Sequence, residues 1–204
     1  LSVSIGVPLG ILSAVKQNSL MDTIPTMIAF FLAAVPSFVV GIVLMYVFAL
    51  KLNWFPSYGL TSVKHYVLPV IAATICELSA YLRFTKSSML ESIRQDYVRT
   101  ARAKGVAERT VIWKHALKNA LLPVVTSIGM RFGCLLAGMV TTEKLFSIPG
   151  IGSLIVDSIS LKDEPMIIGC AIMVSVCFTL LMIGVDLIYA FIDPRIRAKY
   201  SKRR

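Results

Sequence analysis

Long apolar stretches separated by short polar breaks constrain this chain more than any other feature. They lie at about residues 1–15, 23–50, 66–90, 119–142 and 165–192. A bilayer core about 30 Å thick takes roughly 20 helical residues to cross. Of the 204 residues, 56% are hydrophobic and only 16% are charged, more apolar surface than a soluble domain of this size can bury. We therefore predict an all-α, polytopic transmembrane helical bundle with five spans.

The chain begins at Leu1, inside an apolar run, without an initiator Met or a positively charged leader. We therefore expect it to be a piece of a longer protein.

The distribution of positive charge predicts the orientation. Sixteen of the 21 Lys and Arg residues fall on one side, namely Lys16, nine within residues 83–118 and six within residues 195–204. Four fall on the other side: Lys51, Lys64, Lys144 and Lys162. Because cytoplasmic loops are enriched in Lys and Arg, the basic loop (residues 91–118) and the C-terminus are predicted to be cytoplasmic. The net charge of +10 then mostly reflects the orientation of the chain in the membrane, and nucleic-acid binding is not expected.

Sequence patterns typical of enzymes are absent. The chain contains no GxxxxGK[ST] phosphate loop and no GxSxG or HExxH pattern. His65 and His115 lie on opposite predicted sides of the membrane. The cysteines lie in apolar stretches without CxxC spacing, which indicates packing residues: Cys76, Cys134, Cys170 and Cys177. We predict that the chain is not an enzyme, binds no metal and takes its energy from a partner.

Two opposite charges lie near the middle of neighbouring spans. Glu77 is about midway along the third stretch and Arg131 about midway along the fourth. A charge at that depth costs roughly 3 kcal/mol on insertion scales. The alternatives are an ion pair that orients two helices, a lining of the solute path, and snorkelling; the first two can hold together. Asp186, nearer the cytoplasmic end of the fifth stretch, is expected to bond locally with the basic loop.

Prolines and glycines predict three breaks in the helices. Pro36 predicts a kink within the second span. In the basic loop, Gly105 can adopt a left-handed conformation, which predicts a helix C-cap followed by a second short helix from about Ala107. In the Pro-Gly loop (residues 143–164), a Pro149-Gly150 turn precedes an amphipathic stretch over residues 153–160, typical of an interfacial or re-entrant helix.

Three motifs together resemble the permeases of ABC importers, in their dipeptide, oligopeptide and nickel branch. Ala101, Gly105 and Leu122-Pro123 have the spacing of the EAA loop, although Arg99-Thr100-Ala101 stands where Glu-Ala-Ala would be. The Pro-Gly loop matches an E-x-x-F-x-x-P-G-x-G pattern, and Asp193-Pro194-Arg195-Ile196-Arg197 follows the last apolar stretch near the C-terminus. The resemblance covers nearly the whole chain. It implies the type I permease fold, with the family's first span missing.

The resemblance also implies roles for particular residues. The basic loop would be a coupling loop that docks on an ATPase through Thr100, Ala101, Arg102, Lys104 and Gly105. The Pro-Gly loop would be an extracytoplasmic gate loop, with Glu143, Phe146, Pro149, Gly150 and Gly152 as its key residues. By their depth in the membrane, and not by a family motif, Glu77 and Arg131 are also candidates to line the translocation pathway.

The implied function is one half of a permease pair in a bacterial or archaeal cell membrane. Its partners would be a second permease subunit, two cytoplasmic ATPases that use ATP and Mg, an extracytoplasmic binding protein and the bilayer. The solute would be dipeptides, oligopeptides or nickel. One alternative is a proton-coupled secondary transporter using Glu77, Arg131 and Asp186, although no internal inverted repeat is visible. Another is a non-transporting scaffold, which would not need the basic loop.

Overall fold

The protein is all-α. The computed structural model describes residues 1–136 and 140–192, and no β-strand occurs among them. The α-helices in chain order are α1 (Ser2–Val15), α2 (Leu20–Ala34), α3 (Ser37–Leu44), α4 (Lys64–Ile93), α5 (Asp96–Ala103), α6 (Glu108–Thr110), α7 (Leu117–Leu136), α8 (Val140–Leu145), α9 (Ile151–Leu161) and α10 (Glu164–Ile192). Two π-helical segments, Met45–Lys51 and Val111–Ala116, continue α3 and join α6 to α7.

Part of the predicted architecture lies outside the described residues. This applies to residues 137–139 of the fourth predicted span, to the basic tail from Arg195 and to the Asp193-Pro194 ending. The side chain of Cys134 is also outside the described part.

The chain divides into two compact units. The first contains Leu1–Phe30, Leu78–Met130 and the chain from Leu181, and the second contains Phe31–Glu77 and Arg131–Leu180. The basic loop belongs to the first unit. The Pro-Gly loop, Glu77 and Arg131 belong to the second.

Glycines on α1 allow it to lie very close to α4 in the first unit. A Cβ at Gly10 would be 2.6 Å from the carbonyl oxygen of Leu82 and 2.7 Å from the Cβ of Thr85. A Cβ at Gly6, one turn earlier, would be 3.0 Å from the carbonyl oxygen of Leu78 and 3.0 Å from the Cβ of Tyr81. Small residues four apart therefore bring two backbones together, as they commonly do in membrane helices.

Serine hydroxyls fasten α4 to the helix that leaves the basic loop. The Ser88 hydroxyl donates to the carbonyl of Ala120 at 2.8 Å, and the Ser92 hydroxyl donates to the carbonyl of Ala116 at 2.9 Å. Ser88 and Ser92 are buried, so these bonds satisfy groups that water does not reach. The base of the basic loop is thus held on the end of α4.

The second predicted span is broken at Pro36, not merely kinked. Helix α2 ends at Ala34, Pro36 has extended backbone with ψ 142°, and α3 begins at Ser37. Helix α2 and the Ser37–Lys51 segment meet at 96°. The proline has no N–H for the helix ladder and disfavours helical backbone at Val35, so the ladder ends there.

Two helices of the described part, α4 and α10, are long and apolar enough to cross a membrane, and the bent pair α2 and α3 makes a third if it is one span. Helix α1 is apolar but has only 14 residues. A helix is found within each of the five predicted apolar stretches. The number of five spans stays a prediction.

Candidate functional site

The turn of the basic loop is a Schellman motif centred on Gly105. Its φ is +77°, which confirms the predicted left-handed conformation. The N–H of Gly105 donates to the carbonyl of Arg102 at 2.9 Å, and the N–H of Val106 donates to the carbonyl of Ala101 at 3.3 Å. This crossed pair of bonds satisfies carbonyls at the end of α5. The next helix begins at Glu108, as predicted, but it continues through the π-helical segment into α7.

A small apolar cluster holds the turn from beneath. Val98, Ala101, Val111 and Ala116 are buried together, and Val106 packs against them. Ala101 is 8% exposed, so its methyl group points into this cluster and leaves almost no surface for a partner. Because this side chain is small, it lets α5 and the helix that begins at Glu108 approach each other closely under the predicted docking surface. Sequence alone did not distinguish this inward position from an outward one.

An ion pair closes the two arms of the turn. Arg102 Nε donates to Glu108 Oε2 at 3.0 Å, and Arg102 Nη2 donates to Glu108 Oε1 at 2.7 Å. The guanidinium lowers the pKa of the Glu108 carboxyl, and the carboxylate raises the pKa of Arg102. Bidentate geometry of this kind orients both side chains. Arg102 is therefore engaged within the loop.

The remaining predicted docking residues face outward. Thr100 and Lys104 are exposed, on the last turn of α5 and at its C-cap. The Thr100 hydroxyl donates to the carbonyl of Asp96 at 2.9 Å. A cavity of about 270 Å³ lies beside the loop, between the ends of α1 and α4, with Arg94 and Arg102 among its lining residues.

In the Pro-Gly loop, Glu143 holds the start of α9. Its Oε2 accepts the backbone N–H of Ser153 at 2.6 Å, which neutralises one free donor of the helix N-terminus. Gly150 lies against this carboxylate, and a Cβ at Gly152 would be 3.1 Å from Glu143 Oε2. A side chain at Gly150 would displace the carboxylate, whereas a Cβ at Gly152 would first meet Val140 Cγ2 at 2.8 Å. The predicted amphipathic helix over residues 153–160 is present as α9.

An apolar anchor and an ion pair complete the Pro-Gly loop. Phe146 is buried with Ala49 and Leu68, so it joins the core of the second unit. Lys144 Nζ is 2.5 Å from Asp157 Oδ1, and this exposed ion pair links α8 to α9. Pro149 lies in the turn between these helices. The loop is thus a fixed structure with specific internal contacts.

Glu77 and Arg131 form an ion pair, the first of the alternatives that the sequence left open. Arg131 Nη1 is 3.2 Å from Glu77 Oε2, and the side chains are 39% and 25% exposed. A partly exposed pair of this kind links α4 to α7. Asp186 differs from its prediction: it is exposed on α10 and makes no ion pair within the described residues.

One buried ion pair escaped the sequence analysis. Asp22, 5% exposed at the start of α2, lies 2.5 Å from Lys86 on α4. It also accepts the N–H of Asn18 at 3.0 Å and the hydroxyl of Thr26 at 3.1 Å. The available signal was the placement of Asp22 beside an apolar run, opposite a lysine on the same predicted side of the membrane.

Comparison with known proteins identifies the family. Residues 6–198 match the family of the binding-protein-dependent transport system inner membrane component. The chain belongs to this family. The predicted resemblance to importer permeases is therefore confirmed, and so is placement among inner membrane components.

Several curated relatives of this inner membrane component share one name. Proteins named glutathione transport system permease protein GsiC, from Salmonella choleraesuis, Pectobacterium atrosepticum and Escherichia coli, are each 41% identical to it over 198 residues. The alignments cover 97% of this chain and 65% of each relative, so the chain spans somewhat less than two thirds of their length. These relatives are named as transport permeases and not as enzymes, in agreement with the prediction of a non-enzymatic subunit.

Proposed function

We propose that this chain is the permease part of an ATP-driven importer that takes up glutathione or closely related short peptides. The observation that carries the proposal is 41% identity over 198 residues to glutathione transport permeases. The family match over residues 6–198 supports the importer class over a proton-coupled transporter. The importer class comes from the family match, whereas glutathione as the solute comes from the names of relatives that are longer than this chain.

The basic loop would couple the permease to a cytoplasmic ATPase. Its turn is held by two backbone bonds, an ion pair and an apolar cluster, so a push on the exposed residues Thr100 and Lys104 would move the loop as one body. Ser88 and Ser92 would pass this displacement to α4, because they bond the base of the loop to that helix. The chain's own contribution would be a change of conformation, with ATP and Mg used by the partner.

The Glu77–Arg131 pair would contribute to solute selection. Glutathione carries two carboxylates and one ammonium group at neutral pH. Arg131 would bind a carboxylate and Glu77 the ammonium once the solute separates the pair, whose Nη1 and Oε2 atoms are 3.2 Å apart. The Pro-Gly loop, held in shape by Glu143 and Phe146, would form the outer gate beneath a delivering binding protein.

Uptake by cells that lack this gene tests the proposal. Cells complemented with the full-length protein should accumulate radiolabelled glutathione, and the deletion strain should not. Unlabelled glutathione should compete strongly, and dialanine and Ni²⁺ should compete weakly. No accumulation of radiolabelled glutathione above that of the deletion strain, with accumulation of radiolabelled dialanine or Ni²⁺ instead, would overturn glutathione as the solute.

Affinity purification of the full-length protein from its native membrane tests the importer class separately. A second permease and two ATPase subunits should be recovered with it. Uptake that persists when cellular ATP is depleted but the proton gradient is kept would overturn the importer class and favour the proton-coupled alternative.

A further inference from the structure

The basic loop hangs from α4 on a short connection. Helix α4 ends at Ile93 and α5 begins at Asp96, and Gln95 between them has extended backbone with ψ 152°. Extended backbone at this point interrupts the helical ladder of hydrogen bonds. The angle between α4 and α5 is therefore left to side-chain contacts across the break.

A chain of hydrogen bonds from Tyr97 crosses this break. The Tyr97 hydroxyl, in the first turn of α5, is 2.7 Å from Ser92 Oγ in the last turn of α4. Ser92 Oγ also bonds the carbonyl of Ala116 at 2.9 Å. A carbonyl oxygen can only accept, and a serine has a single hydroxyl hydrogen, so Ser92 donates to Ala116. Tyr97 must then be the donor to Ser92, and the chain has one direction.

The Ser92 hydroxyl joins three segments of the chain. It belongs to α4, it accepts from α5, and it donates to the end of the π-helical segment Val111–Ala116. Ser88, one turn earlier on α4, bonds Ala120 on α7, so it holds the outgoing arm of the loop. The bond from Tyr97 adds the incoming arm to the same fastening.

The surroundings of the bond fix the position of Tyr97. Val98, the next residue, is fully buried and packs with Val111 and Ala116, which sets the face that α5 turns towards α4. Ser92 is 6% exposed, whereas Tyr97 is 39% exposed. The acceptor is thus shielded from water while the donor lies at the edge of the loop. Removal of the donor leaves an accepting position on Ser92 that water does not readily fill.

We propose that Tyr97 is a positioning residue that makes α5 move together with α4 and α7 when the basic loop is displaced. This inference rests on the proposed coupling role of the loop, and it adds a residue outside the predicted docking set. Tyr97 touches neither solute nor nucleotide and acts through Ser92. Without its hydroxyl, α5 turns about Gln95 while α4 stays in place, and the displacement is lost at the break.

Amide hydrogen exchange of the full-length protein tests the contact without any partner. The reporters are the amides of Val98 and Arg99, which donate to the Gln95 carbonyl in the first turn of α5. Their exchange should become about five-fold faster in Tyr97→Phe, the change expected for the net loss of one hydrogen bond. The control Tyr58→Phe removes a phenolic hydroxyl from an exposed residue outside the loop and should change neither amide. Unchanged exchange in Tyr97→Phe would overturn the proposal.

A coupling ratio separates positioning from general support of the fold. The full-length protein is assembled in proteoliposomes with its second permease, ATPases and binding protein, and uptake of radiolabelled glutathione is measured together with ATP hydrolysis. In Tyr97→Phe hydrolysis should continue, and the glutathione imported per ATP should fall about five-fold. Equal losses of uptake and hydrolysis would leave this ratio unchanged and would indicate a purely structural role, which overturns the proposal.

Two further variants test whether Tyr97 acts through Ser92. Ser92→Ala should lower the ratio at least as much, and Tyr97→Phe added to it should cause no further loss, because both changes break one chain of bonds. Ser175→Ala removes a hydroxyl that bonds the Ala171 carbonyl within α10, and it should keep the ratio of the unsubstituted protein. Additive losses in the double variant would overturn the shared chain.

Failure of Tyr97 and failure of the proposed function give different results. A normal ratio in Tyr97→Phe, beside an unsubstituted protein that couples uptake to ATP, would overturn the positioning role and leave the proposed function intact. If the unsubstituted protein showed no ATP-dependent uptake, the proposed function and the positioning role would fall together. The exchange of Val98 and Arg99 would still decide whether the contact exists.

Discussion

Replacement of Gly105 by valine should open the turn of the basic loop. Its φ of +77° is a conformation that β-branched residues strongly resist. A Cβ at this position would meet nothing within 4 Å, so the substitution adds backbone strain and no clash. Strain of this kind is about 2 kcal/mol, which corresponds to roughly a 30-fold increase in the population of the opened turn.

Hydrogen exchange measures this opening directly. The reporter is the amide of Val106, whose N–H donates to the carbonyl of Ala101 across the turn. Its protection should fall by about 30-fold in Gly105→Val and by only a few-fold in Gly105→Asn, because asparagine tolerates left-handed backbone. If the proposed coupling role is right, Gly105→Val should also retain ATP hydrolysis by the assembled importer while losing uptake, and Gly105→Asn should retain both.

A control places backbone strain of the same kind elsewhere. Gly59 has φ +101° outside the basic loop, and a Cβ there would also lie 3.3 Å from His65 Nε2, so Gly59→Val should loosen its own turn without separating hydrolysis from uptake. Unchanged Val106 protection in Gly105→Val would refute the conformational reasoning. Lost protection with normal uptake would refute the coupling role and leave the turn as a purely structural feature.

Three further predictions concern ion pairing and packing. In Glu77→Arg combined with Arg131→Glu, thermal stability in detergent should recover relative to either single reversal, with a coupling of about 0.5–3 kcal/mol; additive losses would rule out the pair. An NMR titration should give the Glu108 carboxyl a pKa below its ordinary value of 4.5, so its ion pair is intact at neutral pH and is lost only as pH falls through that lowered value. A titration midpoint that stays the same when the guanidinium of Arg102 is removed would contradict this. Gly10→Ala should destabilise the protein by about 1–3 kcal/mol, because the carbonyl oxygen of Leu82 would lie 2.6 Å from the added Cβ. In the control Gly169→Ala the added Cβ meets nothing within 4 Å, so the protein should keep its stability. Equal melting temperatures of the two variants would refute the close approach.

The helices and the turn of the basic loop were predictable because their signals are local. Apolar runs of membrane-spanning length predicted the positions of the main helices, and a glycine between two helix-forming segments predicted the left-handed turn at Gly105. Backbone sterics and the lack of hydrogen-bonding partners in lipid act on neighbouring residues, so they can be read without knowing the fold. The family motifs added the importer class.

The inner contacts of each loop depended on residues far apart in sequence. Glu143 was predicted as a gate residue, but only the structure shows that its carboxylate binds the start of α9. Ala101 was predicted as a docking residue, yet it is buried under the turn. A sequence pattern gives the depth of a residue along a helix more readily than its direction around the axis, and that direction decides what it contacts.

The amino-acid sequence by itself determined that the chain is a helical membrane protein, where its turns lie and which transport family it resembles. Only the tertiary structure decided that Glu77 pairs with Arg131, that Lys86 meets a buried Asp22, and that the chain turns by 96° at Pro36. These features depend on which helix faces lie against each other. That choice is a balance among many packing and electrostatic contacts over the whole chain, and no single segment encodes it.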